Sequence, residues 1–167
     1  LKQQYYISYE SPLKDISPST ASCSKDVYEC RVARATSART LEGKVAECLA
    51  IPDSVWRSEC FFVVAEEGLK RNFIAYDQAS ELCSLAGKFF YRCIQHLSVQ
   101  EAEKHKSLEQ YRKAGEQFAS FWDSKDKQLT KMTEEIYWST AMEMMFAKKK
   151  IIDNGVFLKL PESAHPH

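Results

Sequence analysis

The sequence predicts an all-α fold stapled by disulfides, on three observations. Only five glycines and five prolines occur in 167 residues, and long stretches are rich in Ala, Glu, Lys, Leu, Gln and Met, which lose least on entering a helix. In the second half, apolar residues recur three and four positions apart, the period of a helix packing on a helix. Six cysteines lie at gaps of x6, x17, x11, x22 and x9, with no Cys-x2-Cys among them. At 44% hydrophobic residues the chain can bury a core.

Residues 1–22 carry two prolines, three tyrosines and several serines with no sustained period, and read as an extended arm. Tyr5, Tyr6, Ile7 and Tyr9 are too apolar for a freely solvated tail, so the arm is expected to lie on a partner or on the protein's own core. Thr20 or Ser22 can cap a first helix running through Val27 and Cys30 to about Ala35. A second helix starts near Thr40 and ends before Pro52. Pro52, Asp53 and Ser54 then read as a break and a new N-terminus, because proline is tolerated there and short polar side chains accept orphan amide hydrogens. Trp56, Phe61, Phe62, Val63, Val64, Phe73 and Ile74 make this third segment the most apolar. Cys60 to Ala65 taken alone has the look of a strand, but its charged flanks favour a helix. A fourth helix is expected from about Gln78 to Leu97. Leu108, Tyr111, Gly115, Phe118 and Trp122 form a seam that Leu129, Met132 and Ile136 answer, which predicts a helical hairpin. Its second helix carries Trp138, Met142 and Met145, then Lys148, Lys149 and Lys150 where positive charge suits a C-terminus, and Asn154-Gly155 supplies a left-handed stop. The tail from Val156, with Pro161 and Pro166, reads as extended.

Lys plus Arg equals Asp plus Glu at 23 each, so bulk charge points to no nucleic-acid partner and to no anionic membrane surface; a protein partner is expected. The longest apolar runs fall far short of the roughly 20 residues that cross a bilayer, so no membrane span is expected. The sequence starts at Leu1, compatible with removal of a targeting segment, and shows no secretory pattern.

No phosphate-binding loop, dinucleotide fingerprint, His-Glu-x-x-His or Gly-x-Ser-x-Gly occurs, so the chain is read as no enzyme, with no catalytic residue, no cofactor, no metal and no small-molecule substrate. A cysteine nucleophile needs a histidine partner, and His96 and His105 sit on a polar stretch that reads as solvent-facing. His165 and His167 belong to the tail, and Met142, Met144 and Met145 read as packing. Structural zinc sites begin with a short Cys-x2-Cys knuckle and thioredoxin-like chemistry needs Cys-x-x-Cys, which disfavours both. Six reduced, buried cysteines remain an alternative. The other reading is that cysteines about three turns apart bolt antiparallel helices together. Cys83 and Cys93, on one helix, would point about 80 degrees apart and face one neighbour.

Read as a whole, the spacing over residues 21–97 resembles the intermembrane-space accessory subunit of mitochondrial NADH:ubiquinone oxidoreductase (complex I) that carries two Cys-x9-Cys helical hairpins in tandem, often called PGIV, of the CHCH family. The segment Leu41-Glu42-Gly43-Lys44-Val45-Ala46-Glu47-Cys48 is similar to that family's run into its fourth cysteine. The x11 from Cys48 to Cys60 equals the family's gap between hairpins, Cys60 to Cys83 is close to its distance, and Cys83 to Cys93 matches its final x9 pair, with an aromatic just before Cys93. The family has eight cysteines; here the first pair is x6, and the third and sixth would fall near Thr40 and Lys70. The resemblance implies bridges Cys23 to Cys48 and Cys60 to Cys93. Each would close a loop of about 25 to 35 residues and contribute on the order of 3 to 4 kcal/mol. It leaves Cys30 and Cys83 as free thiols, with a bond between them as the alternative.

The chain then divides into an extended arm (1–22), a tandem CHCH-like helical region (23–97), a helical hairpin extension (98–155) and an extended tail (156–167). The function implied is that of a non-catalytic accessory subunit of complex I, peripheral on the inner membrane in the intermembrane space, whose partners are other subunits of the complex. A soluble intermembrane-space assembly or copper-delivery factor, and a secreted disulfide-bonded helical binding protein, are the alternatives.

Overall fold

A computed structural model of the chain describes residues 11–24, 26–123 and 125–147, with Phe146 and Ala147 described by their backbone alone. The Tyr-rich start of the arm, the Lys148 to Lys150 helix end, the Asn154-Gly155 stop and the 156–167 tail with its two histidines lie outside the described residues. Among the described residues every regular element is helical and no strand occurs. The chain forms two compact units, Leu1–Cys93 and Ile94–His167.

The first unit holds a 3-10 turn, Pro12–Asp15, then α1 (Val27–Ser37), α2 (Leu41–Leu49), α3 (Ser54–Lys70), α4 (Tyr76–Leu85), a second 3-10 turn (Gly87–Phe89) and the start of α5 (Phe90–Glu103). Three of its helix starts share one device, a short polar side chain that accepts amide hydrogens otherwise without partners. Asp26 accepts from Glu29 N, Thr40 from Gly43 N, and Asp53 from Val55 N and Trp56 N. Helix α1 thus begins at Asp26 and not at Thr20 or Ser22. Those residues are extended because the neighbouring Ser19 is held by α2: its amide donates to the Ala46 carbonyl at 2.9 Å and its hydroxyl to Glu47 at 2.9 Å.

Helix α3 buries Cys60, Phe61, Val64, Ala65, Gly68 and Leu69, the i, i+1, i+4, i+5 stripe of a helix against a core. It ends in a Schellman turn, with Phe73 N donating to the Gly68 carbonyl at 2.9 Å and Asn72 N to that of Leu69 at 3.1 Å. Asn72 takes the left-handed conformation there, φ 56°, which asparagine tolerates better than most residues. The turn folds Ile74 onto Gly68 so closely that a β-carbon at Gly68 would lie 2.7 Å from Ile74 Cδ1.

The expected single helix from Gln78 to Leu97 is two helices. Helix α4 stops at Leu85, and Gly87 with φ +52° turns the chain before α5 begins at Phe90. Glycine takes that left-handed conformation without the strain a β-carbon would bring, which lets the corner form at Gly87.

In the second unit, α5 from Ile94 onward is followed by α6 (Leu108–Asp123) and α7 (Lys127–Ala147). Gln110 accepts from the amides of Lys106 and Ser107 at the start of α6, and Asp126 accepts from Gln128 N and Leu129 N at the start of α7. Tyr111, Gly115, Phe118 and Trp122 of the expected seam are buried, as are Leu129, Met132, Ile136, Trp138, Met142 and Met145 opposite. Gly115 is where the two helices approach: a β-carbon there would lie 3.0 Å from Trp138 Cζ2 and 3.1 Å from Tyr137 Cε1. Buried aromatic rings dominate this core, with Phe118 and Tyr137 centroids 4.6 Å apart.

Candidate functional site

All six cysteines are bonded, each to a neighbour in sequence. The pairs are Cys23 with Cys30, Cys48 with Cys60, and Cys83 with Cys93, with Cα separations of 6.0, 5.6 and 5.5 Å. This corrects the implied pairing of Cys23 with Cys48 and Cys60 with Cys93, and Cys30 and Cys83 are not free thiols. The reason lies in the corners. Cys48 and Cys60 sit on either side of the Pro52 break, and Cys83 and Cys93 on either side of Gly87. On one continuous helix Cys83 and Cys93 would be about 15 Å apart, beyond any disulfide; the break brings them together. The bridges therefore clamp the arm to α1, α2 to α3 and α4 to α5, one bridge to each of these corners. Four of the six sulfurs belong to fully buried residues; Cys23 and Cys30 are partly exposed.

Charged side chains fill part of the first unit's interior. Glu47 of α2 receives Arg31 at 2.8 Å and Arg34 at 2.9 Å from α1, and Ser19 from the arm at 2.9 Å. Burial alone would push its carboxyl up, but the hydrogen bonds from Arg31 and Ser19 and the two guanidinium charges outweigh that and hold it below the usual carboxylate range. Lys44, fully buried, runs its Nζ to the carbonyls of Ala35 and Thr36 at 3.2 and 3.3 Å, where the last turn of α1 leaves acceptors unpaired. Desolvation, reinforced by the Arg71 charge, lowers its pKa. Ser11 pins the arm a second time, donating to Glu81 of α4 at 2.5 Å. The groups tie arm, α1, α2 and α4 together by charge-assisted bonds, which orient elements strongly in a dry interior.

On the surface of this unit, the first turns of α1 and α3 place two rings together. Tyr28 and Trp56 have centroids 4.8 Å apart, tilted at 48°. Trp56 is 48% exposed, and the adjacent Val27 and Val55 are each 41% exposed. Burial, with the Glu59 carboxylate that accepts from its hydroxyl, raises the Tyr28 pKa. Counting Trp56 among the apolar core of α3 missed this. Helical period gave no sign of it, since Trp56 stands four residues before Cys60 and so on the same stripe as Cys60 and Val64; its place in the first turn, three residues after the Asp53 cap, is the available signal. Nothing in the sequence marked Glu47 and Lys44 as buried, since each needs partners from other elements.

His96 is half-buried on α5, and His105 lies in the corner after it. His105 is not solvent-facing: its side chain is 13% exposed and its ring meets Tyr111 edge-on at 5.3 Å. Desolvation lowers its pKa, with Glu101 opposing and Lys104 adding to the shift. Met142 and Met145 pack in the α6 and α7 core. Among the described residues no three His, Cys, Asp or Glu side chains converge as a metal site, and no helix is long and apolar enough to cross a membrane.

Compared with protein-family models, with curated proteins and with solved structures, the chain matches none.

Proposed function

We propose that this chain is a non-catalytic structural subunit, an accessory part of mitochondrial complex I on the intermembrane-space side, where it stabilises and assembles neighbouring subunits. The observation that carries a structural role is that all six cysteines are bonded, in bridges that tie the arm to α1, α2 to α3 and α4 to α5. A rigid frame presents a fixed surface at low ordering cost, which is what a scaffold in a large assembly requires. The assignment to complex I rests on the spacing of Cys48, Cys60, Cys83 and Cys93, and not on their pairing. The test is fractionation of native mitochondrial complexes with the chain tagged. Co-migration with NADH dehydrogenase activity, and protease sensitivity once the outer membrane is opened, are expected; an assembled complex without the chain, or a matrix location, overturns the reading.

The corner-by-corner pairing favours a second reading, a secreted disulfide-bonded helical binding protein, because a CHCH hairpin joins the same two helices by an outer and an inner bridge, whereas here no two helices share more than one bridge. Recovery of the chain from the secretory route in the same fractionation would select it.

A further inference from the structure

We propose that the Tyr28 and Trp56 pair is the docking surface for a cationic amphipathic segment of a partner protein, one in which lysine or arginine alternates with apolar side chains. The proposal deepens the scaffold reading by naming the chemistry of what is held.

Two features of the patch choose the occupant. The first is its apolar face: a tryptophan 48% exposed, packed against a tyrosine and continued by Val27 and Val55. Tryptophan and tyrosine are the residues that most often carry binding energy at interfaces. The second is charge. Asp26 and Glu29 lie within two positions of Tyr28, and Asp53 and Glu59 within three of Trp56. Asp26 and Asp53 are the caps of α1 and α3, so two helix N-termini meet there, each worth about half a positive charge. Four carboxylates outweigh that. Of the nearby arginines, Arg31 is paired with Glu47, while Arg57, held by the carbonyls of Ile51 and Pro52 at 2.9 and 3.0 Å, keeps its charge; four carboxylates still exceed that one cation and the two helix ends together. Lys25 lies outside the described residues. An acidic segment would meet like charge. A second copy joined face to face through the same patch would set the four carboxylates against their own equivalents, which disfavours self-pairing. A cationic, apolar segment satisfies both features.

The full chain is titrated with an 18-residue Lys/Leu peptide patterned as an amphipathic helix, and with a twin carrying glutamate for lysine. Trp122 and Trp138 are fully or nearly fully buried, so acrylamide quenching of tryptophan fluorescence reports Trp56. The lysine peptide is expected to shield Trp56 and to bind less tightly as salt rises, because the Debye length shortens. The glutamate twin is expected to do neither. Trp56→Ala should weaken binding of a dye-labelled lysine peptide about tenfold or more, and Glu29→Lys several-fold, with helical circular dichroism retained. Should Trp56→Ala fail to fold, Glu29→Lys decides alone. Equal binding of both peptides, no binding of the lysine peptide, or affinity unchanged in these variants overturns the proposal. So does a Trp56 already shielded in the free chain. Shielding that grows with protein concentration would point to a second copy. Shielding lost on deleting residues 148–167 would point to the chain's own Lys148 to Ile152. The peptide titration uses no mitochondrial material, so its failure is separate from failure of the complex I assignment.

Discussion

Replacing both Cys48 and Cys60 by alanine removes the bridge between α2 and α3 without leaving a lone thiol. The bridge spans 12 residues, for which loop-closure entropy gives about 3 kcal/mol in the unfolded chain. Both cysteines are fully buried, so the two missing sulfurs leave small voids that add about 1 kcal/mol. The double variant is therefore expected to lose about 4 kcal/mol. For a unit of this size that lowers the midpoint of thermal unfolding by roughly 15 to 25 °C, read by circular dichroism under non-reducing conditions. The single variant Cys48→Ala tests the pairing itself. Alkylation of the denatured, unreduced protein should label Cys60, its partner in the structure, whereas a Cys23 to Cys48 bridge would release Cys23. Label on Cys23, or a loss below about 1 kcal/mol in the double variant, refutes the reasoning.

Other perturbations test other parts of the fold. Gly115→Ala gains about 1 kcal/mol of helix propensity but presses a methyl onto Trp138 and Tyr137, the latter held by its hydroxyl donating to the Tyr111 carbonyl at 2.9 Å. Overpacking costs about 1 to 3 kcal/mol, so urea unfolding followed by tryptophan fluorescence should show a net loss, and a gain would exclude the close α6 to α7 crossing. Glu47→Leu leaves Arg31 buried without its partner and should cost about 3 kcal/mol. Because the folded Glu47 pKa is depressed, its stabilisation is present above the ordinary carboxylate value of about 4.3 and is lost as pH falls through the folded value. Acid unfolding curves should therefore show that decline in the wild type and lack this part of it in Glu47→Leu. Asn72→Ala places a β-branch-free but less tolerant residue at φ 56° and should cost about 1 kcal/mol, while Asn72→Gly is neutral or better; an unchanged melting point for the alanine variant would argue against the left-handed stop.

Much of the path was legible locally. Thr40 and Asp53 announce the starts of α2 and α3, and the spacing from Leu108 to Trp122 and from Leu129 to Met145 gives the α6 and α7 seam, because capping and helical period depend only on residues within a few positions of each other. The misread helix from Gln78 to Leu97 shows where local reading stops: an isolated Gly87 costs a helix little, and only its left-handed backbone reveals a corner. The same limit hid the Tyr28 and Trp56 surface, since two residues 28 positions apart meet only when two helix N-termini are brought together.

The sequence by itself determined that this protein is helical, that no two of its cysteines stand in Cys-x2-Cys spacing, and roughly where its helices lie, since side-chain type and spacing set those outcomes. Which cysteine meets which was decided by tertiary structure. A disulfide needs two α-carbons within about 7 Å, and that distance is fixed by the turns at Pro52 and Gly87, not by the count of residues between sulfurs. The burial of Glu47 and Lys44 was likewise decided in three dimensions, because a charge enters a core only where the folded chain supplies its partners.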